Sequence, residues 1–202
     1  MTALAIALPE GIRRAAPADW RTLGAITGDA FAGDPVASWI MPNPAGLPPV
    51  FAREARDIYL RRGVCHLAGD DGATMWLLPG ARNSAGPVGT LATGWHMLRH
   101  GGAGALRRGL ATEGQMAKHH PREPHVYLYT IAVRKAAQGR GLGRALLAPM
   151  LAACDRAGLP AYLENSNPRN HSLYAAHGFA HVEHFAAGPG GPPLEAMWRE
   201  AR

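Results

Sequence analysis

The chain has 202 residues, 47% of them hydrophobic and 18% charged, with a formal net charge of +6. This is the profile of one globular domain, spanning residues 1–202, that buries a sizeable core. The positive balance favours an anionic partner such as nucleic acid, a membrane surface or a phosphorylated small molecule, but the basic residues cluster no further than pairs such as Arg13–Arg14, Arg61–Arg62 and Arg107–Arg108, which argues against a nucleic-acid tail.

The opening MTALAIAL has no basic start and is too short for a signal peptide or a membrane span. Ile12–Ala16 reads as a first strand, and Pro17-Ala18-Asp19 starts a helix with Leu23, Ile26, Ala30 and Phe31 at helical spacing. That helix ends near Gly33-Asp34-Pro35. Pro42–Pro49 reads as a loop, and Phe51, Ala55, Ile58 and Tyr59 mark a second helix ending at Gly63. Val64–Ala68 and Thr74–Leu78 flank Gly69-Asp70-Asp71-Gly72, a hairpin signal because Gly and Asp tolerate the positive φ of tight turns. From Val88 to about His120 the pattern is helical again, interrupted at Gly101-Gly102 and Gly104. VYLYTIAV, Val126–Val133, is hydrophobic on both faces and is expected to be a central strand. Leu146, Leu147, Met150, Leu151 and Cys154 place one helix face on the sheet, with Pro149 expected to kink the helix rather than end it. A strand at Ala161–Glu164, a short helix at Asn170–His177 and strands at Phe179–Phe185 and Leu194–Trp198 follow. Cys65 and Cys154 sit far apart in apolar contexts and are expected as core thiols of a reducing compartment.

QGRGLG, Gln138–Gly143, lies between the central strand and that helix. Unpaired N–H groups of a first helical turn, the positive end of the helix dipole and glycines that admit a phosphate to the backbone together make an anion cradle. A dinucleotide fingerprint requires a small residue where Arg144 stands, although Glu164 lies about 20 residues on. A P-loop requires G-x-x-x-x-G-K-[ST], which this sequence lacks. A glycine-rich turn without a ligand is the plain alternative.

Gln138-Gly139-Arg140-Gly141-Leu142-Gly143 resembles the Q/R-x-x-G-x-G/A acyl-CoA loop of the GCN5-related N-acetyltransferases, and it follows Ile131-Ala132-Val133 as that loop follows a strand. Asn167-Pro168-Arg169-Asn170-His171-Ser172-Leu173-Tyr174 with Gly178-Phe179 resembles the same family's downstream segment. The resemblance implies an α/β (α+β) fold: a mixed, mostly antiparallel sheet flanked by helices, with a V-shaped opening between central strands. It further implies that about residues 125–185 form the acetyl-CoA-binding and catalytic core, while the N-terminal half is mostly the acceptor side. The implied acetyl-CoA contacts are Ile131, Ala132 and Val133 along the pantetheine arm, Gln138, Gly139, Arg140, Gly141, Leu142, Gly143 and Arg144 around the pyrophosphate, and Asn167 and Asn170 as hydrogen-bonding groups or helix caps.

Acetyl transfer to an amine needs a neutral nucleophile, a stabilised oxyanion and a proton for the departing thiolate. An alkyl amine with a pKa near 10.4 is neutral in about one molecule in a thousand at pH 7, a cost of roughly 4 kcal/mol that a base offsets in part. Glu164, at the end of a short strand, is the candidate base, directly or through water, and an ion-pairing role is its alternative. Tyr129 and His125 are lesser candidates. Tyr174 matches the family's general acid in position, and proton transfer from a free phenol to a free thiolate is uphill by only about 2 kcal/mol. The oxyanion is expected at the N–H of Val133 or a neighbour. For the acceptor, the resemblance implies Asp34, Trp39 and Tyr59, because the loop after the first helix and the next helix cover the sheet opening in that family, with Tyr129 on the neighbouring strand. An anionic carboxylate and aromatic faces suit a cationic amine, and core packing is the alternative for Tyr59.

His177, His181 and His184 recur at i, i+4 and i+7, but Gly178 interrupts any helix and the sequence has no zinc-motif framework, so no metal is expected. The expectation is therefore a cytoplasmic N-acetyltransferase, monomeric or homodimeric, acting with acetyl-CoA on a primary amine of a small molecule such as an aminonucleoside-type antibiotic, without nucleic acid or membrane as partner. A non-catalytic acyl-CoA-binding module and a basic nucleic-acid-binding domain are the alternatives.

Overall fold

The computed structural model describes residues 4–202, so Met1–Ala3 of the MTALAIAL segment lie outside the described residues. Seven strands form one sheet in the order β1-β2-β3-β4-β5-β7-β6: β1 Ile12–Arg14, β2 Gly63–Ala68, β3 Gly72–Leu77, β4 Val126–Val133, β5 Ala161–Asn165, β6 Ala180–Ala186 and β7 Pro193–Arg199. All neighbours are antiparallel except β4 and β5. The β2–β3 hairpin turns where Gly and Asp predicted it, with Gly69 at φ +53°. Strand β4 coincides with the VYLYTIAV run.

Helices cover both faces. On one side lie α1 (Trp20–Phe31), α2 (Pro35–Ile40), α3 (Leu47–Glu54) and the long α5 (Gly86–His119), sharing a core with Leu23, Ile26, Met41, Phe51, Met75 and Tyr127. On the other lie α6 (Leu142–Ala157) and α7 (His171–Ala176), over Trp76, Leu128, Leu147, Met150 and Leu163. Helix α3 runs on through a π turn, Ala55–Tyr59, into the short α4, Leu60–Arg62. The loop expected over Pro42–Pro49 is shorter than that: α3 starts at Leu47 with Pro48 and Pro49 in its first turn, where a missing N–H costs nothing because no carbonyl awaits it. Helix α5 leaves helical geometry at Gly102 (φ +67°, ψ −172°), within the expected glycine break, and α6 continues past a buried Pro149. Among the described residues no helix is long and apolar enough to cross a membrane.

Two glycines set how α3 sits. A Cβ on Gly24 of α1 would fall inside Ala52 of α3, and one on Gly28 would come within 2.6 Å of Pro48. Backbone contact at this seam fixes the position of Glu54, two residues past Ala52. Gly24→Ala is expected to destabilise the fold by about 1–3 kcal/mol through overpacking, read as a lower midpoint in a urea or thermal unfolding curve. An unchanged midpoint would show that the seam has slack.

Candidate active site

The parallel ladder between β4 and β5 is short. It joins Val126, Tyr127 and Leu128 to Ala161, Tyr162 and Leu163, whereas β4 stays paired with β3 on its other side as far as Val133. From Tyr129 onward, β4 therefore borders an opening. Met75 faces Thr130 and Trp76 faces Leu128, which makes Tyr129 the extra residue of a β-bulge.

That extra residue changes the strand's parity. Before it, Val126 and Leu128 face the α6 side while Tyr127 and Tyr129 face α1 and α3; after it, Ile131 and Val133 face α6 and Ala132 faces the other way. Backbone groups alternate in step with side chains. Val126 directs its N–H to the carbonyl of Pro160, just ahead of β5 (2.9 Å), so Ile131 and Val133 direct theirs into the opening. The Val133 carbonyl points the same way and accepts from Gln138 Nε2 at 3.0 Å. Ala132, the third residue of the expected trio, turns its backbone toward β3.

The loop that follows is exposed over Gln138–Gly141. Gly139 and Gly141 have φ of +78° and +82°, a left-handed conformation that explains both glycines without any crowding. Gly143 is different: a Cβ there would make only ordinary contacts, with Leu173 at 3.5 Å and Ile131 at 3.9 Å, so folding alone does not demand glycine. The first bond of α6 runs from Ala145 N–H to Gly141 C=O (3.1 Å), which leaves the N–H groups of Leu142, Gly143 and Arg144 outside the helical ladder. Arg140 and Arg144 are exposed on either side.

A cluster of acids, aromatics and histidines lies on the α1/α3 face of the opening. The Glu164 side chain is only 1% exposed, and neither carboxylate oxygen has a hydrogen-bond partner among the described residues; such burial is costly unless something pairs with it. Its neighbour is His120 Nδ1, 3.5 Å away, and His120 Nε2 meets His125 Nε2 at 3.1 Å. His125 donates from Nδ1 to the Glu123 carbonyl (2.7 Å), which fixes its tautomer and makes its Nε2 an acceptor. His120 then donates from Nε2, so its Nδ1 carries a proton toward Glu164 only when the ring is cationic. Burial holds His125 below the usual imidazole range.

Sequence reasoning missed Glu54, at the C-terminal end of α3. Tyr129 donates its phenolic O–H to Glu54 at 2.7 Å and stacks on Tyr59 with centroids 4.6 Å apart. Burial pushes the Glu54 carboxyl up to about 7, opposed by the Tyr129 hydrogen bond and aided by the charge of Glu113. Tyr59 is 1% exposed and donates to Asn83 (3.1 Å), so it backs Tyr129 rather than facing solvent. The only sequence signal for Glu54 was a lone acid between the apolar positions Phe51 and Ala55.

Tyr174 lies on the opposite, α6 face, packed edge-on against Phe179 (6.1 Å) in the core that also contacts Leu173 and Ile131. Burial, then the charge of Asp34, pushes its phenol above the ordinary value. Asp34 itself caps α2, accepting from Val36 (3.0 Å) and Ala37 (2.9 Å), and takes Ser166 Oγ on its other oxygen (2.7 Å). Both oxygens are thus engaged, and burial raises this carboxyl despite them. Asn167 caps the turn before α7 through Arg169 N–H; Asn170 precedes α7 without a side-chain cap bond. Trp39 packs on Gly188 and Gly191 of the β6–β7 connection.

A mixed sheet parted between two parallel central strands, with a glycine loop leading from the longer strand into a helix, is the fold of an N-acetyltransferase. Residues 54–179 match the Acetyltransferase (GNAT) family, and the chain belongs to that family of acyl-transferring enzymes, whose members generally use acetyl-CoA. It is 28% identical over 206 residues to an uncharacterized N-acetyltransferase of Schizosaccharomyces pombe, covering 93% of this chain and 82% of that protein. A crystal structure described as histone acetyltransferase HPA2 and related acetyltransferase, from Corynebacterium glutamicum, superposes with a TM-score of 0.71 at 26% identity over 95% of this chain and 96% of that one. The C-terminal condensation domain of Ebony in complex with beta-alanyl-dopamine shares the fold, with a TM-score of 0.61 at 10% identity over 98% and 100% of the two chains.

Proposed function

We propose that the chain transfers an acetyl group from acetyl-CoA to the primary amine of a small molecule bound on the α1/α3 face. The observation that carries this reading is the opening itself, which has the Glu164 carboxylate without a hydrogen-bond partner on one side and a buried phenol on the other. Acetyl-CoA supplies the acetyl thioester. Ile131 and Val133 offer backbone groups to its pantetheine arm, the 138–144 loop and the free N–H groups of α6 offer donors to its pyrophosphate, and Arg140 and Arg144 add charge-assisted bonds. Asn170 is a further donor at the mouth of α7.

On the acceptor side, ionised Glu54 attracts a cationic amine and Tyr129 orients that carboxylate. Glu164 takes the proton as the amine attacks and passes it to His120 Nδ1, whose ring is about one-third exposed and so leads to solvent. A backbone N–H at Val133 faces the developing oxyanion. Tyr174 returns a proton to the thiolate. Because burial raises this phenol, the transfer is steeper than the roughly 2 kcal/mol of free groups, and it requires direct contact with the sulfur.

The acceptor class is an amine that carries an aromatic ring, matching the Tyr59–Tyr129 stack. HHPREP, QGRGLG, AGLPAYLENSNPRN and LYAAHGF are similar to segments of puromycin N-acetyltransferase, which favours an aminonucleoside antibiotic and a resistance role. Thiol release from acetyl-CoA across an amine panel is the test: puromycin and other aromatic amines are expected to turn over well above linear diamines. Binding of acetyl-CoA without thiol release for any amine would reduce the protein to an acyl-CoA binder.

A further inference from the structure

At the edge of the sheet, two strands beyond β5, β6 carries a bulge of its own. His181 faces Met197 and Glu183 faces Ala196, leaving Val182 as the extra residue. The bulge brings two histidines three positions apart onto one face, and their rings lie 4.5 Å centroid to centroid. Glu195 of β7, directly opposite His184, stands on that same face. One ligand atom from each of His181, His184 and Glu195 lies within 4.8 Å of the other two.

Several features suit a cation better than a chance meeting of surface side chains. Glu195 is 7% exposed and is held in place: Asn165 Nδ2 donates to one oxygen at 3.0 Å. The other oxygen is 3.1 Å from His181 Nδ1 and 2.8 Å from His171 Nδ1, at the start of α7. The carboxylate is thus anchored from behind, as outer-shell partners anchor metal ligands, while three imidazoles approach it from the solvent side. His184 and His181 are exposed, which leaves an entry path. We propose that His181, His184 and Glu195 form a zinc site, with His171 near enough to exchange its hydrogen bond to Glu195 for the fourth position. Two imidazoles and one carboxylate suit Zn²⁺ and neighbouring first-row divalent ions, whereas Mg²⁺ and Ca²⁺ require mostly oxygen. Gly178 does keep His177, His181 and His184 off a common helix face, but the bulged strand brings His181 and His184 together without one.

The test is zinc titration of the untagged, chelator-stripped full chain in competition with a chromophoric chelator. One zinc ion per chain is expected, with affinity lowered at least about tenfold in His184→Ala and unchanged in His177→Ala, a neighbouring histidine outside the cluster. His184 makes no hydrogen bond among the described residues, so its removal leaves the fold intact; a thermal melt in chelator checks this. Zinc should raise the midpoint of the wild type and not that of His184→Ala. Equal affinities for wild type, His181→Ala and His184→Ala, or no uptake by the wild type, would overturn the site.

Discussion

Tyr174→Phe is expected to lower kcat by about 10²–10⁴-fold, the range associated with a positioned proton donor, while leaving acetyl-CoA affinity nearly unchanged. The ring stays and only the hydroxyl is lost, so the contact with Phe179 and the packing of α7 survive. Burial raises the phenol above its ordinary value, so it remains protonated throughout the range from about pH 6 to 9. The loss should therefore be the same at every pH in that range. A loss confined to one limb of the profile would assign the proton to another group, and a variant with full kcat would remove Tyr174 from the mechanism.

The two carboxylates should separate cleanly by kinetics. Glu164→Gln is expected to lower kcat and kcat/KM together by about 10²-fold or more, because proton removal is an event of the transition state. Glu54→Gln should act mainly on KM for the amine, since its charge is needed to hold the cation before reaction. The Glu54 carboxyl is pushed up to about 7. It is therefore ionised above that pH and neutral below it, and wild-type kcat/KM should fall as pH drops through 7. The ratio of wild type to Glu54→Gln cancels the amine's own ionisation and should rise through pH 7 and then level off. A flat ratio would mean that Glu54 serves only as a partner for Tyr129.

How much of this could be read from residues alone depended on what each feature answers to. The 138–143 loop was legible because left-handed backbone at Gly139 and Gly141 leaves a glycine signature whatever surrounds it. β4 was legible because a strand covered on both faces must be apolar throughout. The parting of β4 from β5 was not, since the bulge at Tyr129 leaves no mark in an unbroken run of β-formers. Glu54 became visible only when Tyr129, 75 positions away, was placed beside it. Asp34 was read as an acceptor group because of its charge, yet its neighbours Val36 and Ala37 use it as a helix cap. The prolines after Gly46 looked like loop, and only the helix start at Leu47 shows them as first-turn residues.

Strand β7 lies between β5 and β6, although both precede it in the chain. β5 therefore lacks its outer neighbour until β7 has been synthesised, and β6 has no sheet partner other than β7. The β6–β7 hairpin must form and then dock as one piece, a long-range closure that comes late in folding. During translation the outer edge of β5 stays bare, and a ribosome stalled before residue 193 would hold an intermediate open to chaperones and to aggregation.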